Sequence, residues 1–186
     1  VEAYAWNPLM LLSDIEDAIA ADGPRATALA FGGVCLLVGV VLRRLGATVA
    51  VIAALLLGLA GLVGAAAAVG VRLNFLNFVV LPITCGIGVD YGVNIVQRWL
   101  QEGPETLGRV LRETGGAVAL CSATTIIGYG SLVVADSRAL SGFGILAVGG
   151  EVACLLAAVF LLPAWLAQRG GPTRPGEPPR PAGRVP

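Results

Sequence analysis

Three observations predict an all-α membrane protein with five transmembrane helices. Hydrophobic residues make up 56% of the 186-residue chain, charged ones 13%, and the mean hydropathy is +0.84, well outside the range of soluble domains. The apolar residues are gathered into five runs, each near the roughly 20 residues that a helix needs to cross a bilayer. Short arginine-bearing segments separate these runs, as expected of loops that set orientation.

The same composition excludes several classes of function. Cys35, Cys85, Cys121 and Cys154 each fall in a different apolar run and histidine is absent, so no disulfide framework, metal site or cofactor is expected. All twelve basic residues are arginines, most of them in a few short segments between apolar runs, which argues for a topology signal and against nucleic-acid binding.

Taken in order, residues 1–23 read as the end of a preceding segment, so the chain is expected to be the C-terminal part of a longer protein. Within them Leu11, Leu12, Ile15, Ala18 and Ile19 oppose Ser13, Asp14, Glu16 and Asp17, predicting an amphipathic juxtamembrane helix over 8–21. Gly23-Pro24 then marks a break. A five-helix domain is expected over 24–168, starting with spans at 26–42 and 45–71 joined through Arg43-Arg44. Gly58, Gly61 and Gly64 on the second span read as packing contacts. The third span, 74–99, carries Pro82, expected to kink it. A separate interfacial helix is predicted over 104–114, with Pro104 in its first turn, Leu107, Val110 and Leu111 on one side and Arg109 and Arg112 on the other. The fourth span, 117–135, holds Ser122, Thr124, Thr125, Tyr129 and Ser131, hydroxyls that commonly bond back to their own helix. The fifth, 140–167, carries Glu151 beside Gly149 and Gly150, for which a relay role and a structural hydrogen bond to a neighbouring helix are both open. Residues 169–186 are Pro-, Gly- and Arg-rich without periodicity and are expected to be a disordered tail.

The third span organises the rest. Asp90 sits near its middle, where an acid costs about 2.5–3.5 kcal/mol on insertion scales and is a functional candidate by default. Gly86, Asn94 and Gln97 lie at i−4, i+4 and i+7 and share its face, making a polar stripe toward Arg98. Gly86, Gly88 and Gly92 are expected to clear space around the acid, with Gly88 and Gly92 admitting a close helix neighbour, so that Asp90 faces protein.

The sequence Gly86-Ile87-Gly88-Val89-Asp90-Tyr91 followed by Asn94 resembles the proton-relay helix of resistance-nodulation-division (RND) transporters, and the Asp-Tyr pair resembles their MMPL branch. The resemblance extends over about residues 9–168 and implies that the five spans correspond to the last five helices of an RND transporter half. It implies a secondary active transporter, not an enzyme, that uses proton antiport to export lipids or other hydrophobic compounds. The implied relay comprises Asp90, Tyr91, Thr124, Thr125 and Glu151, with a hydroxyl of Thr124 or Thr125 as partner of the acid. Asp90-Tyr91 together with Glu151 resembles hopanoid-exporting members. The implied partners are the N-terminal half of the same transporter, the hydrophobic substrate, protons, the bilayer, and further copies in a dimer or trimer.

Competing readings are a Sec accessory subunit, whose related helix does not read Asp-Tyr-Gly, and a sterol-sensing-type lipid-binding module that regulates without pumping. An intramembrane aspartyl protease needs a GxGD motif, whereas the spacing here is GxGxD. Placing the Arg43-Arg44 turn inside leaves only Arg25, Arg72 and Arg138 outside, satisfying the positive-inside rule. The resulting expectation is a bacterial inner-membrane protein with a periplasmic N-terminus and a cytoplasmic C-terminus.

Overall fold

The computed structural model describes residues 8–70 and 75–169, and every regular element in them is helical. The expectations for residues 1–7, for 71–74 and for the tail beyond Arg169 lie outside the described residues. The elements are α1 (Pro8–Leu42), α2 (Leu45–Val69), α3 (Phe75–Glu102), a 3-10 turn (Pro104–Thr106), α4 (Leu107–Val133) and α5 (Arg138–Arg169). Each α-helix contains a stretch long and apolar enough to cross a membrane, so the five-span all-α architecture stands.

Two boundaries differ from the sequence expectation. Gly23-Pro24, read as a break, lies inside the continuous helix α1. Proline removes one backbone donor and crowds the carbonyl four residues back, but long membrane-type helices absorb that by local adjustment. Residues 104–114 do not form a separate interfacial helix: after the 3-10 turn, α4 runs without interruption through Gly115-Gly116. A helical glycine costs only about 1 kcal/mol relative to alanine, which tertiary contacts readily offset. Those contacts exist, because Val110, with Leu107 and Leu111 beside it, packs on Ile95 of α3 and Leu166 of α5. The apolar side of this segment therefore meets protein.

Turn chemistry fits the local backbone. Arg43 adopts a left-handed conformation (φ +48°) and Arg44 is extended, which reverses the chain between α1 and α2 within two residues. Gly70 ends α2 in the left-handed region (φ +69°), its N–H turned back to the carbonyls of Ala66 and Ala67. Gly103 (φ +95°) ends α3 and hands the chain to Pro104, whose missing donor costs nothing at a first helical position. Between α4 and α5 the Ser141 hydroxyl donates to the Val133 carbonyl at 2.9 Å, pinning the start of α5 to the end of α4.

The core forms around α5, which packs against α2, α3 and α4, while α1 lies against α3 and α2. Glycine lets the backbones approach. A Cβ placed on Gly58 of α2 would lie 2.7 Å from the Cys154 sulfur, and one on Gly88 of α3 would lie 2.8 Å from the same atom. Cys154 thus sits in a slot shared by three helices, and the packing role read for Gly58 is seen directly. At the other end of α5, a Cβ on Gly144 would meet the Tyr129 carbonyl of α4 at 2.9 Å. Lower in the bundle Val51, Val96, Ala158 and Leu162 complete the main apolar cluster.

Candidate functional site

Helix α3 has two chemically distinct sides. Thr84, Cys85, Gly88, Val89, Tyr91, Gly92, Ile95 and Val96 are buried, whereas Gly86, Asp90, Asn94 and Arg98, spaced four apart, are exposed along one line. That line lies on the side of α3 turned away from the core; Gln97, beside it, is half-buried. Asp90 is not enclosed by the three glycines. Only Gly86 shares its face, with nothing within 4 Å of an added Cβ; Gly88 faces Cys154 and Leu55, and Gly92 faces Val51 and Leu162. Residues two apart on a helix differ by about 200° in direction, so glycines at i±2 clear space on the opposite side.

Asp90 opens into a cleft of about 520 Å³ between α3 and α4. One wall is Ile87, Asp90, Tyr91, Asn94 and Arg98; the other is Glu113, Thr114, Ala117, Val118 and Cys121. The polar groups are not spread evenly. From Asp90 they lead through Asn94 to Arg98, Thr114 and Glu113, toward the end where α3 and α4 join, a path of about 12 Å at 1.5 Å per residue. Arg98 is ion-paired with Glu102 one turn on, so its charge is compensated at the cleft mouth.

The hydroxyls implied as partners of Asp90 are not brought to it. Thr124 and Thr125 lie one turn beyond the cleft lining, and both donate to the Cys121 carbonyl, at 2.7 and 3.1 Å. Ser131 likewise bonds to Gly128 O at 2.7 Å. This is the intrahelical alternative expected of hydroxyls in apolar helices. Ser122 is fully buried, with its oxygen unpartnered among the described residues. Tyr129 packs edge-on against Phe143, ring centroids 6.0 Å apart.

Tyr91 and Glu151 make a polar contact in the core. Both are 2% exposed, and the Tyr91 hydroxyl donates to a carboxyl oxygen of Glu151, joining α3 to α5. Of the two readings open for Glu151, a hydrogen bond to a neighbouring helix is the geometry observed. Tyr91 also lines the cleft that Asp90 faces, whereas Glu151 does not. Tyr91 thus borders the cleft while its hydroxyl reaches Glu151.

Glu113 and Thr114 are site residues that the sequence reading does not single out, because it puts them at the end of a separate interfacial helix. Their signal was present: Glu113, Ala117 and Cys121 follow a four-residue spacing that becomes one wall once α4 is continuous. Among the described residues no cluster of His, Cys, Asp and Glu is arranged to hold a metal ion.

No solved structure matches the chain. A Methanocaldococcus jannaschii protein named "Putative membrane protein MJ1562" is 31% identical over 85 residues, 42% of this chain and 22% of that protein, so the chain spans well under two thirds of this relative's length. The family model described as "MMPL family" matches residues 2–183, nearly the whole sequence. With five membrane-crossing helices, a mid-span acid on the third and that match from end to end, this multi-pass membrane chain belongs to the MMPL family, an RND-type group.

Proposed function

We propose that this chain is the proton-coupled membrane portion of an exporter that moves lipids or other hydrophobic compounds across or out of a bacterial inner membrane. The supporting observation is the position of Asp90, at mid-span on the open side of α3, in a cleft that carries further polar groups toward one end, in a chain of the MMPL family. Asp90 takes up a proton from the outer side and releases it toward the end of the cleft lined by Asn94, Arg98, Thr114 and Glu113. The arginine distribution assigns that end to the cytoplasm and the α4–α5 turn to the periplasm.

Neutralising the acid removes a charge from the exposed line of α3, and this changes how that face packs on a second, pseudo-symmetric membrane half. The membrane potential supplies about 2.3 kcal/mol per charge per 100 mV, enough to bias a two-state helix arrangement. Substrate choice belongs to domains outside this chain, and the assembled transporter works as a dimer or trimer. The experiment is export of a fluorescent phospholipid analogue by the full-length protein in liposomes, with and without an imposed pH gradient. Export that rises with the gradient supports the proposal; movement indifferent to it would make the protein a passive lipid-binding module of the sterol-sensing type.

A further inference from the structure

The geometry points to Glu151 as a positioning residue that acts on Asp90 through the Tyr91 hydroxyl, and not as a second proton carrier. The inference rests on the proposed role of Asp90 and concerns what holds that side chain toward the cleft.

Asp90 and Tyr91 are consecutive, so their side chains leave α3 about 100° apart. Fixing the direction of one fixes the other. Tyr91 is driven into the core, where its hydroxyl must find an acceptor or remain unsatisfied at a cost. Glu151 of α5 supplies that acceptor. The surroundings allow little freedom: a Cβ on Gly150 would meet the Thr84 hydroxyl at 3.0 Å, and Gly88, one turn before Tyr91, is closed against Cys154 one turn after Glu151. Rotation of α3 about its axis would break the Tyr91–Glu151 bond and drive side chains into these glycine contacts. Asp90 is thereby kept on the cleft side.

Burial and access argue against proton carriage by Glu151. It is 2% exposed and absent from the cleft lining, and its carboxyl accepts a hydrogen bond from Tyr91. Neither of the ion pairs among the described residues involves Glu151, and besides Tyr91 the other buried polar side chains among them are Thr84 and Ser122. The role requires an acceptor oxygen at this point, which a glutamine amide also offers; proton carriage requires an acid, which glutamine is not.

The test is modification of Asp90 by dicyclohexylcarbodiimide, which attacks protonated carboxyl groups in apolar surroundings, followed by mass spectrometry on the full-length protein in lipid nanodiscs across pH 5–8. Glu151→Gln should leave the Asp90 labelling profile within about twofold of wild type, because the acceptor remains. Glu151→Leu and Tyr91→Phe should each change labelling by about fivefold to tenfold, the scale of one lost buried hydrogen bond, and the double variant should change it no further. A Glu151→Gln profile displaced as far as that of Glu151→Leu would overturn the inference and return Glu151 to the relay. Equal profiles for all five proteins would overturn it as well. Glu151→Gln is nearly isosteric, so its result stands even if Glu151→Leu does not fold. Labelling requires no transport, so the proposed export function can fail while this inference holds, and the reverse.

Discussion

The packing of Cys154 gives a prediction whose size follows from the coordinates. In Gly88→Ala the new methyl carbon would lie 2.8 Å from the Cys154 sulfur, 3.0 Å from its Cβ and 3.2 Å from Leu55 Cδ1. A sulfur can usually swing aside, but this one is closed from the α2 side by Gly58, whose own added Cβ would be 2.7 Å from it. The helices must then separate, and overpacking of this kind costs about 1–3 kcal/mol. Gly86→Ala, two residues earlier on the same helix, is the control. Nothing lies within 4 Å of its Cβ, and replacing a helical glycine by alanine gains up to about 1 kcal/mol. The two substitutions should therefore shift stability in opposite directions. Adding Cys154→Ala to Gly88→Ala removes the sulfur and should recover part of the loss, with a coupling of about 0.5–3 kcal/mol. The same rescue should be weaker for Gly58→Ala, whose methyl also meets the Cys154 Cα at 2.8 Å, an atom that no side-chain change removes. Unfolding of the purified protein in mixed micelles of increasing SDS fraction, followed by tryptophan fluorescence, measures these differences. Gly88→Ala as stable as Gly86→Ala would refute the three-helix slot.

Other predictions follow from the placement of individual groups. A reporter at Arg109 should register the cytoplasm and one at Ser137 the periplasm; both on one side would defeat the five-span topology. Cys121, exposed and lining the cleft, should react with a small water-soluble thiosulfonate reagent, whereas Cys85 and Cys154, both buried, should not, and mass spectrometry after brief exposure distinguishes them. Thr124→Val and Thr125→Val each remove a hydroxyl that bonds within α4, so neither should cost more than about 1 kcal/mol in the micelle assay. A larger loss would mean that the hydroxyl has a partner on another helix.

Those elements that depend on short-range pattern were legible in the sequence. Five apolar runs gave five helices, and the four-residue spacing of Gly86, Asp90 and Asn94 placed them on one face because an isolated helical period is enough to do so. Element breaks were less legible. Gly23-Pro24 and Gly115-Gly116 carry strong local signals for a turn, but long apolar helices overrode both through contacts that propensity does not contain. The partners of the polar groups were hardest to read. Tyr91 and Glu151 are 60 residues apart, and nothing local shows that the phenol turns away from its neighbour Asp90 toward α5. The direction taken by Gly88 and Gly92 was likewise obscured by reading small residues near an acid as space for that acid, when the helical period sends them to α2 and α5.

The central claim is that Asp90 carries the proton. The most direct measurement is proton uptake, followed with a pH-sensitive dye, in liposomes holding the full-length protein or its Asp90→Asn variant under the same imposed pH gradient, with a fluorescent phospholipid analogue as cargo. Asparagine keeps the size and hydrogen-bonding ability of the acid but cannot change charge. The account predicts that Asp90→Asn inserts and expresses like wild type, yet loses both proton uptake and lipid movement together. Proton uptake and export by Asp90→Asn at the wild-type rate would contradict it and make the carboxyl a structural group.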